Sequence, residues 1–238
     1  MQIEIWSDIA CPFCYIGKRR FESALAEFPH RDQVNVVYKS FELDPNAPKQ
    51  LPHDVYDMLS SKYGMSREQA IAMNKNLVQQ AAEEGLDFQF DTLQLTNTFD
   101  AHRLQQFAKS RGKGAAVAEL LFHAYFTDSK NVSDHSTLAD IAVEAGLDRE
   151  EALAMLASEQ FMDEVREEEE DGSQLGIRGV PFYVLDRKLA VSGAQASSAF
   201  LGALNQAWEA QQPPLQVINS TNEGVCEDVS CVVEPPKA

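Results

Sequence analysis

The sequence predicts an α/β protein whose small sheet layer is interrupted by a large all-helical segment. Three observations predict it. Residues 2 to 41 read strand, helix, strand; the stretch from about Asp54 to Glu170 carries helical spacings throughout; and strand character returns after Gly176.

Residues 2–7, QIEIWS, alternate apolar Ile3 and Ile5 with polar neighbours, as a short strand does. From Cys11 to Phe28 the period becomes helical, with Ile16, Phe21, Leu25 and Phe28 on one side and Lys18, Arg19 and Arg20 grouped on another. Residues 34–41, VNVVYKSF, are β-branched and aromatic and run into the loop DPNAPKQLP, which predicts a second strand.

The middle section places Met58, Leu59, Leu77, Leu104, Phe107, Leu121, Leu138, Ile141 and Leu153 at helical spacings. Ser66 with Gln69 forms a capping-box pattern at the start of one helix. Residues 134–158 read as two short helices joined at Gly146, with Asp148 capping the second. The expectation is roughly five helices, the EEEED run at 167–171 being the solvated face of one of them. Strands at Phe182–Leu185 and Leu189–Val191 follow, joined by a tight turn at Asp186 and Arg187, and a last helix spans about Ala196 to Ala210. The boundaries expected are an α/β layer from 1–50 and 172–212, a helical insertion at 51–171, and a loosely held tail at 213–238.

Composition narrows the function. Of 238 residues 44% are apolar, enough for one large domain or a domain carrying an insertion. A net charge of -17 argues against nucleic-acid binding, which needs clustered cations, and disfavours anionic membrane surfaces. No run approaches the roughly 18 apolar residues a membrane helix requires. The N-terminus MQIEIWSDIACPFC lacks the basic start and apolar stretch of a secretory leader, so the expected location is cytoplasmic. In a reducing compartment, two closely spaced cysteine pairs point to redox or metal chemistry instead of structural staples.

Cys11 and Cys14 enclose Pro12 and Phe13 where the first strand gives way to the first helix. Thiol–disulfide exchange runs through the thiolate, and a free cysteine with a pKa of about 8.5 is mostly protonated at neutral pH. A helix start has unpaired N–H groups and the positive end of the dipole. Cys11 there should be acidified and nucleophilic, with Cys14 one turn in and able to resolve a mixed disulfide. Pro12 suits a first helical turn. Phe13 brings neither charge nor a donor, so it should stabilise a Cys11 thiolate less than histidine would. A four-thiolate zinc site of Cys11, Cys14, Cys226 and Cys231 is the main alternative, although zinc pairs usually lie on turns; two inert buried cysteines are the other. Pro181, in Gly-Val-Pro-Phe, sits where a strand tolerates proline and where a cis peptide is accessible; by itself it reads better as a plain edge-strand proline.

C-P-F-C after a short strand, with G-I-R-G-V-P-F at 176–182, resembles the DsbA-like branch of the thioredoxin superfamily. Within it the chain is similar to the FrnE-type oxidoreductases, through I-x-x-W-S-D-I-x-C-P-F-C-Y-I-G-K, F-E-L-D-P at 41–45 and N-T-F-D-A-H-R at 97–103. The resemblance covers about residues 2 to 210 and implies a thioredoxin fold with a helical domain inserted before the proline strand. It implies that Pro181 is cis and lies beside the thiols, that Cys11 attacks and Cys14 resolves, and that the Val180 backbone can pair with a substrate peptide like an added strand. Pro12, Phe13, Val180, Asn97 and His102 are the candidate substrate-binding residues, with Thr98 and Arg103 beside them. His102 and Arg103 also read as ordinary packing or surface residues of an amphipathic helix. Asp8 reads equally as a proton acceptor for Cys14 or a plain loop residue.

The resemblance also implies protein thiols or disulfides as partners, no tightly bound cofactor, glutathione as a candidate co-substrate, and a monomer or homodimer. The same branch holds glutathione-dependent isomerases of the 2-hydroxychromene-2-carboxylate type and kappa-class transferases, which use a serine near the first-cysteine position. Here that position is Cys11 and Cys14 is present, which favours dithiol chemistry. DsbA itself carries histidine between its cysteines, where this chain has Phe13, so a strongly oxidising role is not expected. Cys226 and Cys231 are read as a second redox pair; a structural disulfide, free thiols and metal ligands stay open. Glu227 and Asp228 should raise the pKa of both thiols.

Overall fold

The computed structural model describes residues 1–51 and 53–211. Its four strands, β1 (Gln2–Ser7), β2 (Asn35–Ser40), β3 (Phe182–Leu185) and β4 (Leu189–Ser192), form one sheet in the order β2-β1-β3-β4. β1 pairs parallel with β2, whereas β3 runs antiparallel to both β1 and β4. The parallel pair needs a crossover, which α1 (Pro12–Glu27) supplies. Asp186 and Arg187, both at positive φ, turn β3 into β4.

Both faces of β1 are covered. Ile3 and Ile5 point to the layer formed by α1 and the final helix α9 (Ser197–Glu209), where they meet Phe21, Phe28, Phe200 and Leu204. Trp6 points the other way and is buried with Ile177 and Val184. This period-two alternation explains why QIEIWS holds its register: a one-residue slip would exchange the two faces.

Between β2 and β3 the described residues form seven helices, not the roughly five expected. These are α2 (Val55–Tyr63), α3 (Arg67–Glu83), α4 (Phe99–Ser110), α5 (Gly114–Phe126), α6 (His135–Glu144), α7 (Arg149–Leu156) and α8 (Met162–Gln174). The shortfall lies in short helices whose starts are set by caps more than by long apolar stripes. Asp54, Asp134 and Asp148 each accept a backbone N–H at a helix start, and Ser66 with Gln69 closes a reciprocal capping box.

The acidic run belongs to α8, yet it is not simply a solvated face. Glu168 is buried, accepts the Ser40 N–H at 2.8 Å and is held by the side chains of Gln106 and Lys109. Its carbonyl receives the Trp6 indole N–H at 2.8 Å. Gly172 makes this fit feasible, since a Cβ there would stand 2.7 Å from the Trp6 indole nitrogen. Together with Glu169, which accepts the Glu42 N–H at 3.0 Å, and Asp171, which pairs with Arg187 in the β3–β4 turn, Glu168 ties the helical layer to the sheet.

Candidate active site

The site forms where β1 ends and α1 begins. The chain turns through Asp8, and the Cys11 N–H donates to the Asp8 carbonyl at 3.1 Å. Cys11 occupies the N-cap position with extended backbone, and Pro12 opens the helix. No side chain caps α1 and no acidic residue lies in its first turn, so the positive helix end is left to whatever anion approaches. The Cys14 N–H donates to the Cys11 carbonyl at 3.0 Å, which places the second thiol one turn deeper. Both thiols are free.

Cys14 is 2% exposed. Burial pushes its thiol pKa well above the ordinary value; the hydrogen bond to Cys11 and the Cys11 charge add to this, while the Ser7 hydroxyl and the Asp8 backbone oppose it. Cys14 is therefore held as a protonated thiol until something attacks or is attacked beside it.

The start of β3 completes the site. The Val180–Pro181 peptide is cis, and the Val180 carbonyl receives the Cys11 thiol at 3.6 Å. Pro181 is buried against α1 at Gly17, where a Cβ would lie 3.2 Å from the proline Cγ and 2.6 Å from the Tyr183 hydroxyl oxygen. Glycine at 17 permits that approach.

Above the thiols the helical layer leaves a cleft of about 400 Å³. Cys11, Pro12 and Phe13 line one side, and Met58, Met73 and Asn74 of α2 and α3 face them across it. Cys11 is only 5% exposed, whereas Phe13 at the rim is 46% exposed. The Cys11 residue is reached through the cleft, not from open surface. A neighbouring hollow of about 150 Å³ shares Ala10, Leu43 and Met58 with it and extends to Asp8 and Thr98.

The structure brings together Cys11, Cys14, Pro12, Phe13, Val180 and Pro181, and it separates the rest. His102 is buried, with Nε2 3.5 Å from Asp8 Oδ1 but outside hydrogen-bonding geometry, and it does not line the cleft. Burial lowers its pKa, but the Asp8 carboxylate, with Glu42 and Glu169 behind it, outweighs that and raises it above the ordinary value. Asp8 in turn accepts the N–H groups of Leu43 at 2.7 Å and Ala10 at 3.2 Å. It is the buried anchor of the turn that carries Cys11.

Asn97, expected to contact substrate, lies outside the cleft lining and spends its Oδ1 on the Phe99 N–H at the start of α4, at 2.9 Å. Arg103 donates to the carbonyls of Met155, Leu156 and Gln160, closing the last turn of α7, so its role is structural. Cys226 and Cys231 lie outside the described residues. The α2–α3 wall was missed in the sequence reading, although its signal was present: Met58, Met65 and Met73 are three of only six methionines in the chain.

Comparison with known proteins agrees with this fold. A probable DsbA oxidoreductase from Streptomyces coelicolor is 50% identical and superposes with a TM-score of 0.85, over 92% of this chain and 94% of that one. An uncharacterized Bacillus subtilis protein, YwbO, is 27% identical, covering 86% of this chain and 96% of its own. A 2-hydroxychromene-2-carboxylate isomerase shares the fold at 17% identity, with a TM-score of 0.65 over 88% of this chain and 95% of that one. The family model for the DSBA-like thioredoxin domain matches residues 2–205, and the chain belongs to that family.

Proposed function

We propose that the protein is a thiol–disulfide oxidoreductase acting on polypeptide disulfides, with Cys11 as nucleophile and Cys14 as resolving thiol. The observation that carries this reading is the position of Cys11: at an uncapped helix start, one turn from a second thiol and 3.6 Å from the carbonyl preceding Pro181.

In the reducing direction, the Cys11 thiolate attacks one sulfur of the substrate disulfide. A Cys11–substrate disulfide forms, and the other substrate sulfur leaves as a thiolate that takes a proton from water. Cys14 then gives up its proton and attacks the Cys11 sulfur. The second substrate thiolate is released and protonated, and a Cys11–Cys14 disulfide remains. The substrate has gained two electrons and the protein has lost two. Two equivalents of a small thiol, with glutathione the natural candidate in a cytoplasmic setting, restore the dithiol. Run backwards, the same steps oxidise a substrate dithiol; stopped at the mixed disulfide, they isomerise. The Val180 backbone would align an extended substrate beside the thiols.

Insulin reduction by dithiothreitol tests the reading. The wild-type protein should accelerate precipitation of the insulin B chain and the Cys11→Ser variant should not; equal rates for the two would reject it.

One observation favours a second reading, a glutathione-dependent isomerase or transferase acting on a small molecule. Cys11 is 5% exposed at the base of a mostly apolar cleft of about 400 Å³, a volume within the range of small-ligand pockets. Retention on immobilised glutathione without insulin reduction would favour it.

A further inference from the structure

A substrate seated on Cys11 closes the side from which the thiols are reached, yet Cys14 must then lose a proton. Cys14 is 2% exposed, and burial raises its pKa. The Ser7 hydroxyl works the other way and favours the Cys14 thiolate by hydrogen bonding. Ser7 also lines a cavity of about 20 Å³, room for one water molecule, which shares no lining residue with the cleft over Cys11.

Two other side chains of that cavity carry polar atoms that nothing satisfies. His102 is 2% exposed and Gln105 5%, yet His102 Nε2 and Gln105 Oε1 have no hydrogen-bond partner among the described residues. Packing alone does not call for an amide here, since an apolar side chain would leave no buried oxygen unpaired. A ring nitrogen and a carbonyl oxygen around a water-sized hole are groups that a buried water satisfies together. Gln105 and Tyr38 line a second space as well, a groove of about 340 Å³ beside β2 whose walls include the exposed Asn35, Gly112 and Ala115. The two residues are the partition between the cavity and solvent.

We propose that the cavity holds one water, and that Ser7, this water and the groove beyond Gln105 form an exit for the Cys14 proton separate from the substrate cleft, with His102 and Gln105 as its positioning residues. As Cys14 attacks the Cys11 sulfur, its S–H bond breaks and the Cys11–Cys14 bond forms, while the substrate sulfur leaves with the electron pair of the mixed disulfide. The Cys14 proton passes to the Ser7 oxygen, the Ser7 hydroxyl proton to the water, and a water proton to solvent in the groove. The water accepts from Ser7 and from His102 Nε2, donates to Gln105 Oε1, and has one proton left to pass on. Neither His102 nor Gln105 changes charge. The route rests on the redox reading above and adds where its proton goes.

The test isolates this step in the full chain carrying Cys226→Ser and Cys231→Ser, so that only Cys11 and Cys14 report. Stopped-flow reaction with dithiobis-nitrobenzoate releases one coloured thiolate as Cys11 is modified, in a phase that scales with reagent. It releases another as Cys14 attacks, in a phase that does not. The coloured thiolate leaves easily, so loss of the Cys14 proton limits the later phase. Gln105→Leu puts methyl groups where the water sits and should slow the later phase at least about tenfold, and the earlier one by less than about twofold. Gln105→Ala opens the partition to groove water and should keep the later phase at or above the wild-type rate. Both variants lose the Gln105 bond to the Gly114 carbonyl at 2.8 Å, so a structural role alone would move them together. Ser7→Ala should slow the later phase as Gln105→Leu does. An unchanged later phase in Gln105→Leu overturns the proposal; so do Leu and Ala variants slowed alike, and so does Ser7→Ala at the wild-type rate. If the parent protein shows no later phase at all, the redox reading falls and the route falls with it. A normal later phase indifferent to Gln105 removes the route alone.

Discussion

The Cys11 sulfur lies 3.6 Å from the Val180 carbonyl oxygen, although 169 positions separate the two residues in the chain. β1 and β3 are neighbours in the sheet, and each delivers one half of the site from the same end: Cys11 just past the end of β1 and Pro181 just before the start of β3. The sheet order is thus the device that assembles the chemistry.

The division of labour between the thiols can be trapped. Cys14→Ala should accumulate a mixed disulfide between Cys11 and substrate, visible as a thiol-sensitive mass increase on the intact protein. Cys11→Ser should accumulate none. Adducts appearing on Cys14 in the Cys11→Ser protein would reverse the assignment.

Gly17→Ala should impair turnover more than stability. The added methyl would meet the Tyr183 hydroxyl at 2.6 Å and Pro181 at 3.2 Å, so Tyr183 has to move and Pro181, beside the thiols, is pressed as well. Overpacking of this kind costs about 1–3 kcal/mol. A misplacement near 1 Å at a reacting centre can cost on the order of a hundredfold in rate. Denaturant midpoints measured beside insulin-reduction rates check it; wild-type rates in a folded variant would show that the contact is irrelevant to chemistry.

His102 predicts a pH-dependent contribution to stability. Its folded pKa is raised, chiefly by the Asp8 carboxylate acting against burial. Protonation therefore favours the folded state: the contribution is complete below the unfolded pKa of about 6.5 and is lost as pH rises through the higher folded value. Urea midpoints of wild type and His102→Gln should differ most at acidic pH and converge as the solution becomes alkaline. A gap that widens with rising pH would contradict the pairing with Asp8.

Gly172→Ala should loosen the helical layer from the sheet. Its methyl would press the Trp6 indole at 2.7 Å and compete with the bond from that ring to the Glu168 carbonyl. A loss of about 1–3 kcal/mol is expected, with a change in Trp6 fluorescence. An unchanged Tm and spectrum would mean that the indole can move freely.

Much of this architecture was legible because short-range patterns carry it. The expected strand Phe182–Leu185 matches β3, and the expected helix from Cys11 to Phe28 is α1 within a residue at either end. These elements are bounded by turn residues and prolines. The features that were missed depend on distant partners. The burial of Glu168 follows from Ser40, Gln106 and Lys109, none of which an acidic run can announce. The shielding of Cys11 follows from α2 and α3 lying across it, and no motif encodes where a helix pair will rest. Asn97 and His102 share a sequence motif yet serve different ends, one finishing a helix start and the other meeting Asp8.

The separation of Cys11 from Pro181 has a consequence during synthesis. At the ribosome's pace of about 5–20 residues per second, the N-terminal dithiol is made on the order of ten seconds or more before the proline that will cover it exists. For that interval the two sulfurs lack the Val180 carbonyl and the Pro181 turn that lie beside them in the fold. Its biosynthesis is safest where a surrounding thiol buffer keeps them reduced until β3 arrives.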